Sequence, residues 1–167
     1  WSDGSTANPR TDTNVTGNIN VTATFAPDTF TVTASVSGGN GSVDPISQSV
    51  DYNATATINI YPNTGYHIAS ITDNGVPVAI ANPYVISNVM AGHAVLVSFA
   101  VDTFALTVTK DGTGSGGVTP STGTLNWTGN TGTATYDYNT PVTLTAAPDI
   151  SSTFTGWSGA GCSGTGT

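Results

Sequence analysis

Apolar and polar residues alternate along most of this chain in short runs, and turn residues break the runs at short intervals. From Phe30 to Val36 the apolar positions fall on every second residue, the period of a half-buried strand. Thr55 to Tyr61 alternates again and sets Ala56, Ile58 and Ile60 on one face. Tyr66 to Ile71 runs into Asp73-Asn74-Gly75, which predicts a tight hairpin because Asn and Gly tolerate positive φ. Val76 to Ile80, Tyr84 to Ile86 and Ala94 to Phe99 are further predicted strands, and Gly38-Gly39-Asn40-Gly41 is a predicted turn. The pattern nominates Tyr61, Tyr66, Ile68, Ile71, Val95, Val97 and Phe99 as core, with Val142, Leu144, Phe154 and Trp157 further along.

The pattern also repeats. Phe25-Ala26-Pro27-Asp28-Thr29-Phe30 returns 74 residues later as Phe99-Ala100-Val101-Asp102-Thr103-Phe104, with Asn14-Val15 falling on Asn88-Val89 and Val21 on Val95. Asp51-Tyr52-Asn53 returns as Asp137-Tyr138-Asn139, an offset of 86 (51 to 137). The two offsets differ by about a dozen residues, which places an insertion after Phe104, around Gly123 to Thr133, where it reads as a lengthened hairpin. Trp1-Ser2-Asp3-Gly4 resembles Trp157-Ser158-Gly159-Ala160. The predicted layout is the C-terminal half of a repeat at 1–27, a complete repeat at 28–101, and the N-terminal part of a repeat with its lengthened hairpin at 102–167. Only about four residues separate Phe25 and Phe99 from the strands that follow them, so the units are expected to pack into a stiff rod. The fold class expected is all-β: tandem small antiparallel β domains, β-grasp-like or sandwich-like.

Composition sharpens this. All ten acidic residues are Asp, Glu is absent, and Arg10 and Lys110 are the whole basic set, so the good helix formers are scarce. Thr, Val and Ile suit pleated surfaces instead. A net charge of −8 with two basic residues argues against nucleic acid, whose phosphates need clustered Lys and Arg, and against anionic lipid surfaces. No apolar run approaches the ~18–20 residues of a membrane span, and membrane insertion is not expected. Low Lys content, Thr/Asn/Gly richness and a pI near 4.1 fit a secreted or cell-surface protein. The chain opens on Trp1 without a signal peptide, so any targeting signal is expected outside it.

Candidate chemistry is sparse. His67 and His93 are the only imidazoles, the Asp residues scatter over turns, and no nucleophile motif accompanies them. No catalytic residue and no enzymatic activity are expected. Asp28 and Asp102 recur at the two unit boundaries and are the calcium candidates; one carboxylate per boundary is far from six to eight oxygens, and hydrogen bonding within a turn is the competing reading. No other cofactor is implied. Trp127 and Tyr136 in the lengthened hairpin are candidates for stacking on a sugar, against a local packing role. Trp1 and Trp157 occupy a repeated position, which favours core. The partners expected are neighbouring repeats or identical subunits, with a glycan or host surface as the rival class.

Phe104-Ala105-Leu106-Thr107-Val108-Thr109 leads to Gly112-Thr113-Gly114-Ser115 with Val118-Thr119-Pro120. Val142-Thr143-Leu144-Thr145-Ala146-Ala147-Pro148, Phe154-Thr155-Gly156-Trp157-Ser158-Gly159 and the closing Val21-Thr22-Ala23-Thr24-Phe25 complete the pattern. Together these segments resemble the divergent InlB B-repeat family of bacterial surface modules. The resemblance implies cell-wall-associated stalks, spacers or adhesive arrays and supplies no catalytic residues. Many such repeats carry Cys pairs; the pair near Asn126-Trp127-Thr128-Gly129 is absent here. The resemblance implies that the partner of Cys162 falls just beyond Thr167, as a disulfide to a residue outside this stretch. The two half-units at the ends predict either excision from a longer array or mutual completion between molecules. In the second case Val21 to Phe25 would ladder onto Phe104 to Thr109 of a neighbour.

Overall fold

The computed structural model describes Gly4 and residues 6–159; 49% of these described residues are strand and none is helix. β1 (Thr29–Ser37) alternates in burial along its length, turning Val32 and Ala34 inward. It is followed by β2 (Gly41–Asp44), β3 (Ser47–Asp51), β4 (Ala56–Pro62), β5 (Tyr66–Asp73), β6 (Val76–Val78), β7 (Tyr84–Ile86) and β8 (His93–Val101). Two sheets result, one in the order β3-β1-β8-β5-β6 and one in the order β2-β4-β7. Val32, Ala34, Ile71, Val95 and Val97 from the first sheet join Val43, Ala56, Ile58, Ile60 and Ile86 from the second in one core, completed by Val50 and Val89.

Among the described residues all pairings are antiparallel except the central one. β1 and β8 run parallel, from Val32 opposite His93 to Ser37 opposite Ser98. First and last strands lying parallel at the centre of a mixed sheet is the β-grasp arrangement; the second sheet adds a sandwich-like layer. The Asp73-Asn74-Gly75 turn joins β5 to β6 with Asn74 at φ 49 and Gly75 at φ 78, the left-handed pair a type I′ turn requires. Tyr61 is not core but 53% exposed, because period two turns it outward once Ile60 points in. Ile71, Val95 and Val97 are buried as expected, while Tyr66, Ile68 and Phe99 are half-buried.

The remaining strands are β9 (Thr103–Thr109), β10 (Gly116–Pro120), β11 (Asn126–Thr128), β12 (Thr131–Asp137) and β13 (Leu144–Pro148). Their register repeats that of the first unit. Thr29 pairs with Asp51 and Thr103 with Asp137; Gly41 pairs with Pro62 and Gly116 with Pro148. The inserted residues form the β11–β12 hairpin, turning at Gly129 with φ 58. Among the described residues β9 has β12 on one edge only, whereas β1 lies between β3 and β8. Val108 and Leu125 are buried, and Val142, Leu144, Phe154 and Trp157 are only half-buried, with the Phe154 and Trp157 rings 5.0 Å apart.

The expected closing strand at Val21 to Phe25 does not form. Residues 6–28 contain no strand, and Val15, Ile19, Val21 and Phe25 are exposed. Both edges of β1 are taken by β3 and β8, so this segment cannot enter the first sheet beside β1 as β8 does.

Candidate functional site

The passage from β8 to β9 turns on Asp102. Its N–H donates to the Gly65 carbonyl (2.8 Å), and its own carbonyl accepts from the N–H of Tyr138 (2.7 Å), just past β12. Asp102 Oδ1 meets His67 Nδ1 at 2.8 Å. The Tyr138 ring lies across Gly65, which has φ +79 and no room for a Cβ against that ring. Tyr138 also stands 6.4 Å from Phe104 in a tilted aromatic pair. The three segments Gly65-Tyr66-His67, Asp102-Thr103-Phe104 and Tyr138 thus interlock two successive units.

The same parts recur at the other boundary. Tyr52 N–H donates to the Asp28 carbonyl at 2.7 Å, and Phe30 and Tyr52 rings stand 6.3 Å apart. Asp28 and Asp102 therefore share a backbone role, and at Asp102 the carboxylate engages an imidazole. That ion pair is partly exposed and charged only when His67 is protonated, so its contribution is at most about 1 kcal/mol. Among the described residues no group of three His, Cys, Asp or Glu side chains comes together as a metal cage.

In the lengthened hairpin Trp127 pairs with Gly132, and its ring covers that glycine so closely that no Cβ would fit. Lys110 Nζ sits 4.7 Å from the ring centroid, a cation–π contact, and 36% of Trp127 remains exposed. Tyr136 donates its hydroxyl to the Thr122 carbonyl (2.9 Å) and packs its ring beside Gly123. Directly opposed residues share a sheet face. Trp127, Gly132 and Val108 align across three strands, as do Ala134 with Leu106 and Tyr136 with Phe104, so both aromatic candidates lie on the apolar side. A groove of about 320 Å³ lies here, lined by Phe104, Ala105, Leu106, Tyr136 and Val142 together with the polar Asp137, Asn139 and Thr140. Cys162 and Trp1 lie outside the described residues.

One cluster escaped the sequence reading. His93 Nδ1 bonds Asp73 Oδ2 at 2.7 Å, Tyr84 Oη donates to the same oxygen at 3.4 Å, and Asp73 Oδ1 is buried with no hydrogen-bond partner among the described residues. Burial, and then the Asp73 charge and hydrogen bond, push the Tyr84 hydroxyl above its usual 10.0. The nearby Thr33 hydroxyl donates to the His93 carbonyl rather than its ring, so the group staples β7, the β5 end and the β8 start. Asp73 and His93 meet because β5 and β8 pair, and Tyr84 reaches them from β7 of the other sheet; no local sequence signal joins the three.

The mixed sheet with its parallel centre, the second layer and the recurring register define a small all-β module built to be repeated in tandem. A family profile described as the divergent InlB B-repeat domain matches residues 30–101, so the complete unit is similar to that family, whose repeats are typically bacterial surface-associated. No curated protein and no solved structure matches the chain.

Proposed function

We propose that this chain is a structural spacer segment of a secreted or cell-surface bacterial protein, that it carries no catalytic activity, and that its repeats stack into a stiff rod. The joint carries this reading: Tyr138 seated on Gly65, with Asp102 bonded to both segments, holds one unit on the next with a connection of a single residue between β8 and β9. Copies of the rod then extend end to end into an extracellular filament. Small-angle scattering from the monomer tests the rod. A single elongated shape is expected, and a distribution of bent shapes would overturn it.

A second reading, an adhesin module holding a glycan or host protein on the lengthened hairpin, draws on the partly exposed Trp127 ring. Binding on a glycan array that disappears in Trp127→Ala would favour it over the spacer.

A further inference from the structure

We propose that the outer edge of β3 pairs with the same edge of a second copy of this chain, joining two chains side by side through one continuous sheet. β3 is an outer strand of the five-stranded sheet, with β1 on one side and no strand on the other among the described residues. Its free backbone groups follow from the register. Tyr52 N–H donates to the Asp28 carbonyl and Ala34 N–H to the Ile46 carbonyl, so Asp28–Tyr52 and Ala34–Ile46 are hydrogen-bonded pairs at the two ends of the β1–β3 ladder. Such pairs alternate along an antiparallel ladder. Gln48 and Val50 therefore bond to β1, and the N–H and C=O of Ser47, Ser49 and Asp51 point outward. The Asp51 carbonyl is taken by the N–H of Ala54 at 3.0 Å, whereas the groups of Ser47 and Ser49 have no such partner among the described residues.

Open edges are ordinarily blunted by Pro, Lys, a bulge or sheer shortness. The opposite edge of this sheet, β6, is three residues long with Pro77 in its middle. β3 has five residues, no Pro, no Lys and an unbroken register. The following unit covers the same edge itself. There β12 is the counterpart of β3, Thr133 stands at the position of Ser47, and β11 of the inserted hairpin pairs Asn126 with it. This position in the fold thus takes a further antiparallel strand. In the complete unit Pro45-Ile46 runs straight from β2 into β3, with no hairpin to provide one.

The edge is complementary to itself. Antiparallel pairing about a twofold axis at Ser49 sets Ser47 opposite Asp51 and Gln48 opposite Val50 of the second copy, so no two carboxylates oppose each other. Continued by one residue at each end, it sets Ile46 opposite Tyr52, twice. Ile46 is 71% exposed and Tyr52 55% exposed in the single chain. Both fall at non-hydrogen-bonded positions of the new ladder, where opposed side chains approach most closely. A patch that contacts itself closes at two copies, so this pairing is lateral and separate from end-to-end growth.

The test uses the whole chain in a Cys162→Ser background. Ser49→Cys places two thiols on the axis, at the Cα separation of about 5.5 Å of a hydrogen-bonded pair and within disulfide reach. Treated with glutathione disulfide it should form a symmetric dimer; Ser37→Cys, also exposed on β1, should not. Sedimentation equilibrium of the Cys162→Ser chain should show a monomer–dimer equilibrium with a Kd below about 1 mM. Ser49→Lys and Ser49→Asp each set like charges opposite one another and should each weaken the dimer at least about tenfold; mixing the two variants should restore it as a heterodimer. Ser49 is exposed, so both variants should keep the fold, read by circular dichroism. Four results would each overturn the edge pairing: a chain that stays monomeric up to about 1 mM, dimers that persist unweakened in Ser49→Lys, a mixture no tighter than its components, or Ser37→Cys linking as readily as Ser49→Cys. The monomer scattering still reports separately on the rod.

Discussion

Gly65→Ala probes the joint most directly. Gly65 sits at φ +79, and a left-handed conformation costs an L-residue about 1–2 kcal/mol relative to Gly. The added methyl also collides with the Tyr138 ring, which must leave its seat. Tyr138 is already 43% exposed, so unseating its ring returns only part of a side chain's apolar area to water, at a cost of about 1 kcal/mol. The substitution should therefore destabilise the protein by about 2–3 kcal/mol. The two contributions separate in a double-mutant cycle read by urea denaturation with tryptophan fluorescence. In a Tyr138→Ala background the clash is gone and only the backbone strain remains, so Gly65→Ala should cost about 1 kcal/mol less there. A cost that is the same in both backgrounds, within about 0.5 kcal/mol, would show that Tyr138 does not rest on Gly65. The reasoning about the joint would then fail with it.

Two further outcomes follow from the core and from the Tyr84 cluster. Ile60 is 1% exposed in the centre of the core, and Ile60→Asp should cost the complete unit several kcal/mol, roughly 3 or more, measured as a lowered denaturation midpoint. Tyr84 has its hydroxyl pKa raised above 10.0, so the unfolded chain releases that proton first as pH climbs. The stability tied to the protonated hydroxyl is complete below the unfolded value and declines as pH rises through the folded one. Denaturation midpoints followed above about pH 10 should fall less steeply in Tyr84→Phe than in the unmodified chain; parallel curves would contradict the assignment.

Period-two alternation determined the strands, since each inward position meets a core whatever the topology. Ala56, Ile58 and Ile60 face one way for that reason, and Asp73-Asn74-Gly75 turns because its backbone preference is local. The recurrence of Asp28-Thr29-Phe30 and Asp51-Tyr52 in sequence was enough to reveal the repeated unit and to place the lengthened hairpin. Which strands become neighbours was not legible, because pairing depends on edges left free by the rest of the fold. The same apolar pattern forms a buried central strand at His93–Val101, where the edge of β1 is available, and no strand at Val21 to Phe25, where it is occupied. Tertiary structure likewise decided that Gly65 would become the seat of Tyr138, and that Asp73, Tyr84 and His93 would share one oxygen. Such contacts join residues far apart in the chain, and the physical reason they appear only in the fold is that no local preference of either partner encodes the other's position.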